Sequence, residues 1–308
     1  RMREIIGYAH IMARGGRPIL ITGETGTGKE LLARGIHRAG PYADGPFVSV
    51  NVTSIPESLF ESHFFGHAKG AFTGAESAHA GYFEQANHGA IYLDEIGELS
   101  SILQAKLLRV LEEKMVERLG ESKHRHLDMA VISSTNRNLD EACRKGVFRL
   151  DLLYRIKSAH VHLPPLRERP LDIPTLTSHF LKEACRRHRK KEMHLSPEAM
   201  DRLLREPYPG NVRELQHVVE NAVLMADNDT LETRHLQMDQ TQESSLTPQR
   251  SLCSLKENEA AHMAFVLEQV SGDRKEAARI LNVSVRQVQR KLVQLKDHPR
   301  WGRVIRQY

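Results

Sequence analysis

The sequence predicts an α/β fold: a parallel sheet covered by helices, then an all-α domain, then a small helical domain. Three observations predict it. Short apolar runs alternate with helical-period segments over residues 1–164, residues 171–238 carry helical period without a further strand run, and helical period returns in a basic segment beyond residue 254. The composition, 40% apolar and 27% charged over 308 residues, is that of globular protein and excludes disorder and collagen-like architecture.

The runs at 19–22, 47–51, 90–93, 129–135 and 159–163 read as strands, apolar enough to be buried on both faces. Between them lie helical-period segments such as 101–113. Pro164-Pro165 ends the alternation, and helices are predicted near 171–187, 196–205 and 211–226. Residues 239–254 are polar, broken by Pro248 and unable to bury a core, so they read as a linker. Helical period follows over 255–270, 274–281 and 285–295. The domains are thus expected at 1–166, 167–238 and 255–308, with the linker at 239–254.

No apolar run approaches the ~20 residues of a membrane span, and Arg1 opens no signal-peptide pattern, so a cytoplasmic protein without membrane association is expected. Cys143, Cys185 and Cys253 have no CxxC spacing and suggest neither a disulfide frame nor zinc. The pairs His63/His67 and His160/His162 lack a third ligand; strand alternation places the second pair on one face. Residues 255–308 hold eleven Lys and Arg against six Asp and Glu, whereas residues 1–254 carry 33 of each. A basic segment beside a neutral body suggests nucleic-acid contact, the alternative being a solvated surface.

Gly23, Glu24, Thr25, Gly26, Thr27, Gly28, Lys29 and Glu30 follow the run 19–22 and open a helix beginning near Glu30. Glycines let backbone N–H groups turn inward around phosphate oxygens, the helix start adds its positive end, and Lys29 suits the β- and γ-phosphates. The spacing G-x-x-x-x-G-K between strand and helix marks a nucleotide-phosphate loop. Glu30 stands where Ser or Thr is expected, which leaves Thr27 or a water to replace the metal-binding hydroxyl. The run 90–93 ends in two carboxylates: Asp94 suits magnesium, directly or through water, and Glu95 suits polarising an attacking water. Both motifs fall at the C-terminal edge of one sheet, where such sheets bind ligands. Nucleotide hydrolysis is the reading they favour.

Gly70, Ala71, Phe72, Thr73, Gly74 and Ala75 form a string that resembles the signature loop of the sigma-54-dependent transcriptional activators, bacterial enhancer-binding proteins of the AAA+ class. The resemblance runs in order over residues 2–238, through Phe64-Phe65-Gly66-His67, LDEIG at 93–97, Thr135-Asn136-Arg137, PPLRER at 164–169 and PGNVREL at 209–215. Glu30 after the lysine is also usual in that family. The resemblance implies an AAA+ P-loop sheet with a helical lid, and ATP and Mg2+ as cofactors. It implies that Asn51 holds Glu95 until the γ-phosphate is sensed, that Asn136 is the sensor, and that Arg213 is the lid sensor. Arg149 and Arg155 match paired arginines inserted into the neighbouring subunit's site, which implies a homo-oligomeric ring, a hexamer by analogy. From the residues alone, Arg149 and Arg155 read equally as salt-bridge partners and Arg213 as a helix-surface residue. The loop at 70–75 is implied to project Phe72 and Thr73 toward sigma-54 in the RNA polymerase holoenzyme; the alternative is a hairpin with a buried phenylalanine.

Residues 274–295 read as helix, turn, helix. Asn282 at the turn tolerates positive φ, and Ser284 with Gln287 forms a capping-box pattern. Val285, Val288, Leu292 and Leu295 are placed toward the core. Arg286, Gln287, Gln289 and Arg290 are left outward, where Arg and Gln pair with guanine and adenine edges. The segment resembles the Fis-type helix-turn-helix that ends these activators, with Ala277 and Ala278 at a close helix contact. Ser284, Arg286, Gln287, Gln289, Arg290 and Lys291 are the candidate contacts to double-stranded DNA, in a module that dimerises on palindromic sites. The tail 296–308, with Trp301 and three arginines, is open between phosphate contact and packing.

The chain therefore reads as a piece of an ATP-hydrolysing activator that binds upstream DNA and remodels sigma-54 polymerase closed complexes, with an N-terminal regulatory region elsewhere. One alternative is a nucleotide-binding DNA regulator with little turnover, which leaves the Asp94-Glu95 pair unexplained. Another is a different AAA+ remodelling ATPase, an unfoldase or helicase loader, which leaves residues 70–75 unexplained.

Overall fold

A computed structural model describes residues 2–226, 228–237, 259, 262, 263, 266, 270 and 273–295. The chain divides into two compact units, residues 1–238 and 239–308.

The first unit runs α1 (Met2–Arg14), β1 (Ile19–Thr22), α2 (Lys29–Ala39), β2 (Phe47–Asn51), α3 (Glu57–Phe65), β3 (Gly66–His67), β4 (His79–Ala80), α4 (Tyr82–Gln85), β5 (Ala90–Asp94), α5 (Ser101–Glu113), β6 (Met115–Val116), β7 (Arg125–His126), β8 (Ala130–Thr135), α6 (Leu139–Arg144), α7 (Leu150–Ile156) and β9 (Ala159–His162). Each apolar run became a strand of one parallel sheet, in the order β2-β5-β8-β1-β9. The register pairs Thr22 with Thr135 and Leu93 with Ser133, so the C-terminal ends of β1, β5 and β8 share one edge. Leu20, Ile91, Leu93 and Val131 face a cluster with Phe60, Phe64, Leu103, Leu107, Leu152 and Ile156, supplied by α3, α5 and α7. Ile19, Ile21, Tyr92, Ile132 and Val161 face the other side, with Ala9 and Ala13 of α1 and Ala33 and Ile36 of α2. Leu103, Leu107 and Leu111 recur at four-residue spacing on α5, and burying each contributes about 1.5–3 kcal/mol.

The pair β3–β4 is antiparallel and brackets residues 68–78. The pair β6–β7 is tied to α4 by Arg118, which donates to both oxygens of Glu84 at 2.9 and 2.6 Å. That hydrogen bond holds the Glu84 carboxyl below its ordinary pKa. Neither two-residue hairpin has enough alternation to be read from sequence.

Beyond β9 the chain forms α8 (Ile173–Arg187), β10 (His194–Leu195), α9 (Pro197–Arg205), α10 (Asn211–Met225) and β11 (Thr230–Leu231). These build a separate cluster around Leu181, Leu203, Leu215 and Val219. Ser196 caps α9 by accepting from the Ala199 N–H at 3.2 Å, with Pro197 in the first turn. The sequence predicted no strand here. The structure adds the short parallel pair β10–β11, which lacks a sequence signal because Leu195 and Leu231 are its only apolar residues.

In the second unit, α11 (Arg274–Ile280) and α12 (Val285–Leu295) share a small cluster with Met263 and Val266. Ala277 and Ala278 are buried between them. Asp273 caps α11, accepting from the Lys275 N–H at 2.8 Å. Asn282 has φ 52°, and Ser284 and Gln287 form the reciprocal cap: Ser284 N–H donates to Gln287 Oε1 at 2.9 Å and Gln287 N–H to Ser284 Oγ at 3.3 Å. Val288 and Leu292 are buried, but Val285 is 37% exposed. As the first residue of α12 it precedes the turn that meets the core, which corrects its placement by helical spacing. The linker 239–254, most of the helix expected over 255–270, Cys253, the Leu295 side chain and the tail 296–308 lie outside the described residues.

Candidate functional site

β1 delivers its chain into the glycine loop, and α2 starts at Lys29 with Gly28 at φ 102° before it. Among the described residues no carbonyl accepts from the N–H groups of Gly26, Gly28 or Lys29, so they remain available to an anion. Lys29 is buried; its Nζ donates to Gly23 O at 3.0 Å and Glu24 O at 3.3 Å, and lies 3.7 Å from Glu95 Oε1. The Thr27 hydroxyl donates to Glu24 O at 2.7 Å and Thr27 is only 3% exposed, so it is turned into the loop and buried there. Glu30 pairs outward with Arg34 at 2.7 Å.

Asp94 Oδ1 accepts from the Glu95 N–H at 3.1 Å and from the Ser134 hydroxyl, and the Tyr92 hydroxyl oxygen lies 3.1 Å from it. Its Oδ2 has no protein donor among the described residues, so one hard carboxylate oxygen remains for a divalent cation, and the residues present fit magnesium. Glu95 sits at φ 56°, a strained conformation for a non-glycine residue. Its Oε2 accepts from the Asn136 N–H at 3.2 Å, while Asn136 Nδ2 donates to Thr25 Oγ1 at 3.2 Å. Lys29, Glu95, Asn136 and Thr25 are thus brought together. Asn51 lies opposite Asp94 in the β2–β5 register, but the link to Glu95 implied by the resemblance is not made. Its Oδ1 instead accepts from Thr53 N–H at 2.9 Å and Thr53 Oγ1 at 2.7 Å, and Glu95 is held by Lys29 and Asn136.

The lid meets the loop through residues that sequence reasoning did not single out. Asn211 is fully buried with φ 55°; its Oδ1 accepts from Leu166 N–H at 2.8 Å, and its Nδ2 donates to Glu24 Oε2 and Thr25 O, both at 3.1 Å. Gly26 O accepts the first N–H groups of α10, from Val212 at 3.0 Å and Arg213 at 3.3 Å. A Cβ on Gly26, which has φ +79°, would stand 2.2 Å from Gly210 O. Arg167 grips Glu24 with bonds of 2.8 and 2.6 Å, and this bond, with that from Asn211, draws the Glu24 carboxyl down to about 2. Buried Arg169 donates to Thr27 O at 2.8 Å, and its burial lowers its pKa. The available signal was a polar residue shortly after Pro164-Pro165, at Arg167 and Arg169, or directly after Pro209-Gly210, at Asn211. Arg213 is exposed beside Gly26 and its guanidinium has no ion partner among the described residues.

Arg149 pairs with Asp151 at 2.7 Å, as the salt-bridge reading allowed. Its N–H donates at 2.8 Å to Oε1 of buried Gln104, whose Nε2 donates to Leu99 O and Val147 O at 2.8 and 3.0 Å. Arg155 donates twice to Leu111 O, at 3.1 and 2.7 Å. It lines a cavity of about 260 Å³ with Pro18, Met129 and Ser158, the residues that lead into β1, β8 and β9. Arg155 therefore lies at the sheet edge opposite the glycine loop of its own chain, roughly 13 Å of strand away. His160 and His162 both bond Thr22 Oγ1, at 2.8 and 3.1 Å.

Residues 70–75 close on themselves: Gly70 N–H donates to Ala75 O at 2.8 Å and Ala75 N–H to Phe72 O at 3.0 Å. Phe72 is 44% exposed, its ring edge-on to His67 at 5.0 Å. On α12, Arg286, Gln289 and Arg290 are exposed. Gln287 is also exposed but commits its amide oxygen to the cap, and Lys291 turns to an ion pair with Glu259. Both side chains thus have a partner within the second unit.

A parallel sheet with an anion-ready glycine loop, a helical lid bonded to that loop and a separate helix-turn-helix define a class: AAA+ nucleotide-binding regulators with a DNA-binding domain. Residues 1–162 match the sigma-54 interaction domain, 167–252 the AAA+ ATPase lid domain and 254–295 the bacterial regulatory protein, Fis family. The chain belongs to the sigma-54-dependent transcriptional activator family. It is 39% identical to the transcriptional regulatory protein FlbD of Caulobacter vibrioides over 96% of this chain and 69% of FlbD. It is 45% identical to a Nif-specific regulatory protein of Herbaspirillum seropedicae over 78% of this chain. The chain spans only 44% of that relative's length. The crystal structure of NtrX from Brucella abortus in complex with ATP superposes with a TM-score of 0.70 at 29% identity, covering 96% of this chain and 67% of NtrX.

Proposed function

We propose that the chain hydrolyses ATP between adjacent subunits of a cytoplasmic ring, and uses the cycle to drive residues 70–75 against sigma-54 polymerase bound at a promoter. In this reading residues 1–166 and 167–238 form the ATPase and its lid, and residues 255–308 hold the ring to upstream DNA through dimeric helix-turn-helix modules. The observation that carries it is the Glu95 carboxylate, held between Lys29 and the Asn136 N–H beside an open phosphate loop. Lys29, displaced from the Gly23 and Glu24 carbonyls, would neutralise β- and γ-phosphate oxygens. Glu95, released from Lys29, would orient the attacking water. Magnesium, held by Asp94, would supply further charge neutralisation on the phosphates.

Arg155, on the far edge of its own sheet, supports supply in trans, and arginines so placed accelerate hydrolysis roughly 10³- to 10⁵-fold. A ring of six is the form the family analogy favours. The test is ATP-dependent open-complex formation with sigma-54 polymerase. Wild type should turn over ATP and melt the promoter, and Phe72→Ala should keep its ATPase rate and lose melting. ATP turnover with normal melting by the variant would refute the role of the loop, and absence of turnover would refute the enzyme.

A further inference from the structure

Glu30 turns away to Arg34, Thr27 is buried in its own loop and Thr25 Oγ1 accepts from Asn136 Nδ2, so among the described residues no hydroxyl of the glycine loop bonds Asp94. Two buried hydroxyls reach Asp94 from beneath instead. Tyr92 lies two residues before Asp94 on β5 and so shares its face of the sheet. Extending the β5–β8 register, which pairs Leu93 with Ser133, sets Ser134 beside Asp94. Tyr92 is 1% exposed and Ser134 fully buried. No water reaches either, so each must spend its single proton on a protein acceptor.

The proton accounting is restrictive. The Ser134 hydroxyl donates to Asp94 Oδ1. The Tyr92 oxygen is 2.8 Å from Ser134 Oγ and 3.1 Å from Asp94 Oδ1, so its proton runs to Ser134 and closes a chain that ends on the carboxylate. Stacking on Phe47, with centroids 5.9 Å apart, holds the ring. With the Glu95 N–H, every donor to this carboxylate among the described residues falls on Oδ1 and none on Oδ2.

We propose that Tyr92 and Ser134 are positioning residues that lock the Asp94 carboxylate by Oδ1 and present Oδ2 to the divalent cation accompanying the nucleotide. The assignment rests on the nucleotide reading above and adds to it the device that compensates for the absent loop hydroxyl. The carboxylate cannot rotate to swap its oxygens without breaking the chain, so the cation meets a fixed ligand.

The test uses the full chain with Ser134→Ala, Tyr92→Phe and the double variant, each checked for wild-type circular dichroism. ATP binding is measured by fluorescence of a labelled analogue in EDTA, and Mn2+ binding to the nucleotide complex by electron paramagnetic resonance. Ser134→Ala should weaken Mn2+ at least about 10-fold, Tyr92→Phe by less, and the double variant no more than Ser134→Ala, as for two links in series. Binding in EDTA should stay within about twofold of wild type. Unchanged Mn2+ affinity in Ser134→Ala overturns the proposal, as does equal loss of binding in EDTA. Additive losses in the double variant overturn the serial chain. A wild type that binds no Mn2+ with ATP overturns the nucleotide reading itself, a result distinct from wild-type binding matched by the variants.

Discussion

The loop at residues 23–28 and the loop at residues 70–75 are both built on positive-φ glycines: Gly26 and Gly28 at 79° and 102°, Gly70 and Gly74 at 81° and 102°. Their surroundings differ. The first is bonded by Arg167, Arg169, Asn211, Asn136 and the start of α10, so lid and loop share one set of hydrogen bonds. The second bonds mainly to itself, and its outside contacts include the Phe72 ring on His67 and Ala71 against Gly120. The contrast teaches that a glycine can serve close approach or free projection. What surrounds it decides which.

The strongest way to break this contrast is one substitution in both loops. Gly26→Ala drives a Cβ into the Gly210 carbonyl, and overlap plus backbone strain should weaken ATP binding on the order of 100-fold in a titration. Gly70→Ala meets open space and should leave ATP affinity unchanged, its cost being only the strain of about 1–2 kcal/mol. Equal losses at the two sites would erase the distinction. Next in size, Asn211→Ala leaves the Leu166 N–H and Thr25 O without their buried partner, and should destabilise the first unit by about 1–3 kcal/mol in urea unfolding.

The smallest effect sharpens the electrostatic side. Arg167, then Asn211, hold Glu24 at about 2, below its unfolded value, so the pair stabilises the fold fully above the ordinary carboxylate pKa and loses that contribution as pH falls toward about 2. Melting curves of wild type and Arg167→Ala should therefore differ by a small constant amount from pH 7 to about pH 5 and converge in acid. A gap that persists at pH 2 would assign the effect to packing instead.

The strands and the glycine loop were legible in the sequence because they are local: period, flanking glycines and a lysine at fixed spacing. Helix α12 was legible through Ser284 and Gln287 for the same reason. Glu24 to Asn211 was not, since the partners are 187 residues apart and nothing in either neighbourhood names the other. Tyr92 looked like one more apolar strand residue, because a hydroxyl's partner is set by sheet register. Val285 was misplaced by ideal periodicity, which does not know where a helix first meets its core, and the pairing of Lys291 with Glu259 has no local signal either.

Gln104 gives the fold one more property. Its single amide grips Leu99 O, four residues past Glu95, together with Val147 O and the Arg149 N–H. The turn after the acid pair and the segment bearing Arg149 are thereby bonded to the same side chain. In the ring proposed above, that one side chain would join the turn after Glu95 to the segment that presents Arg149.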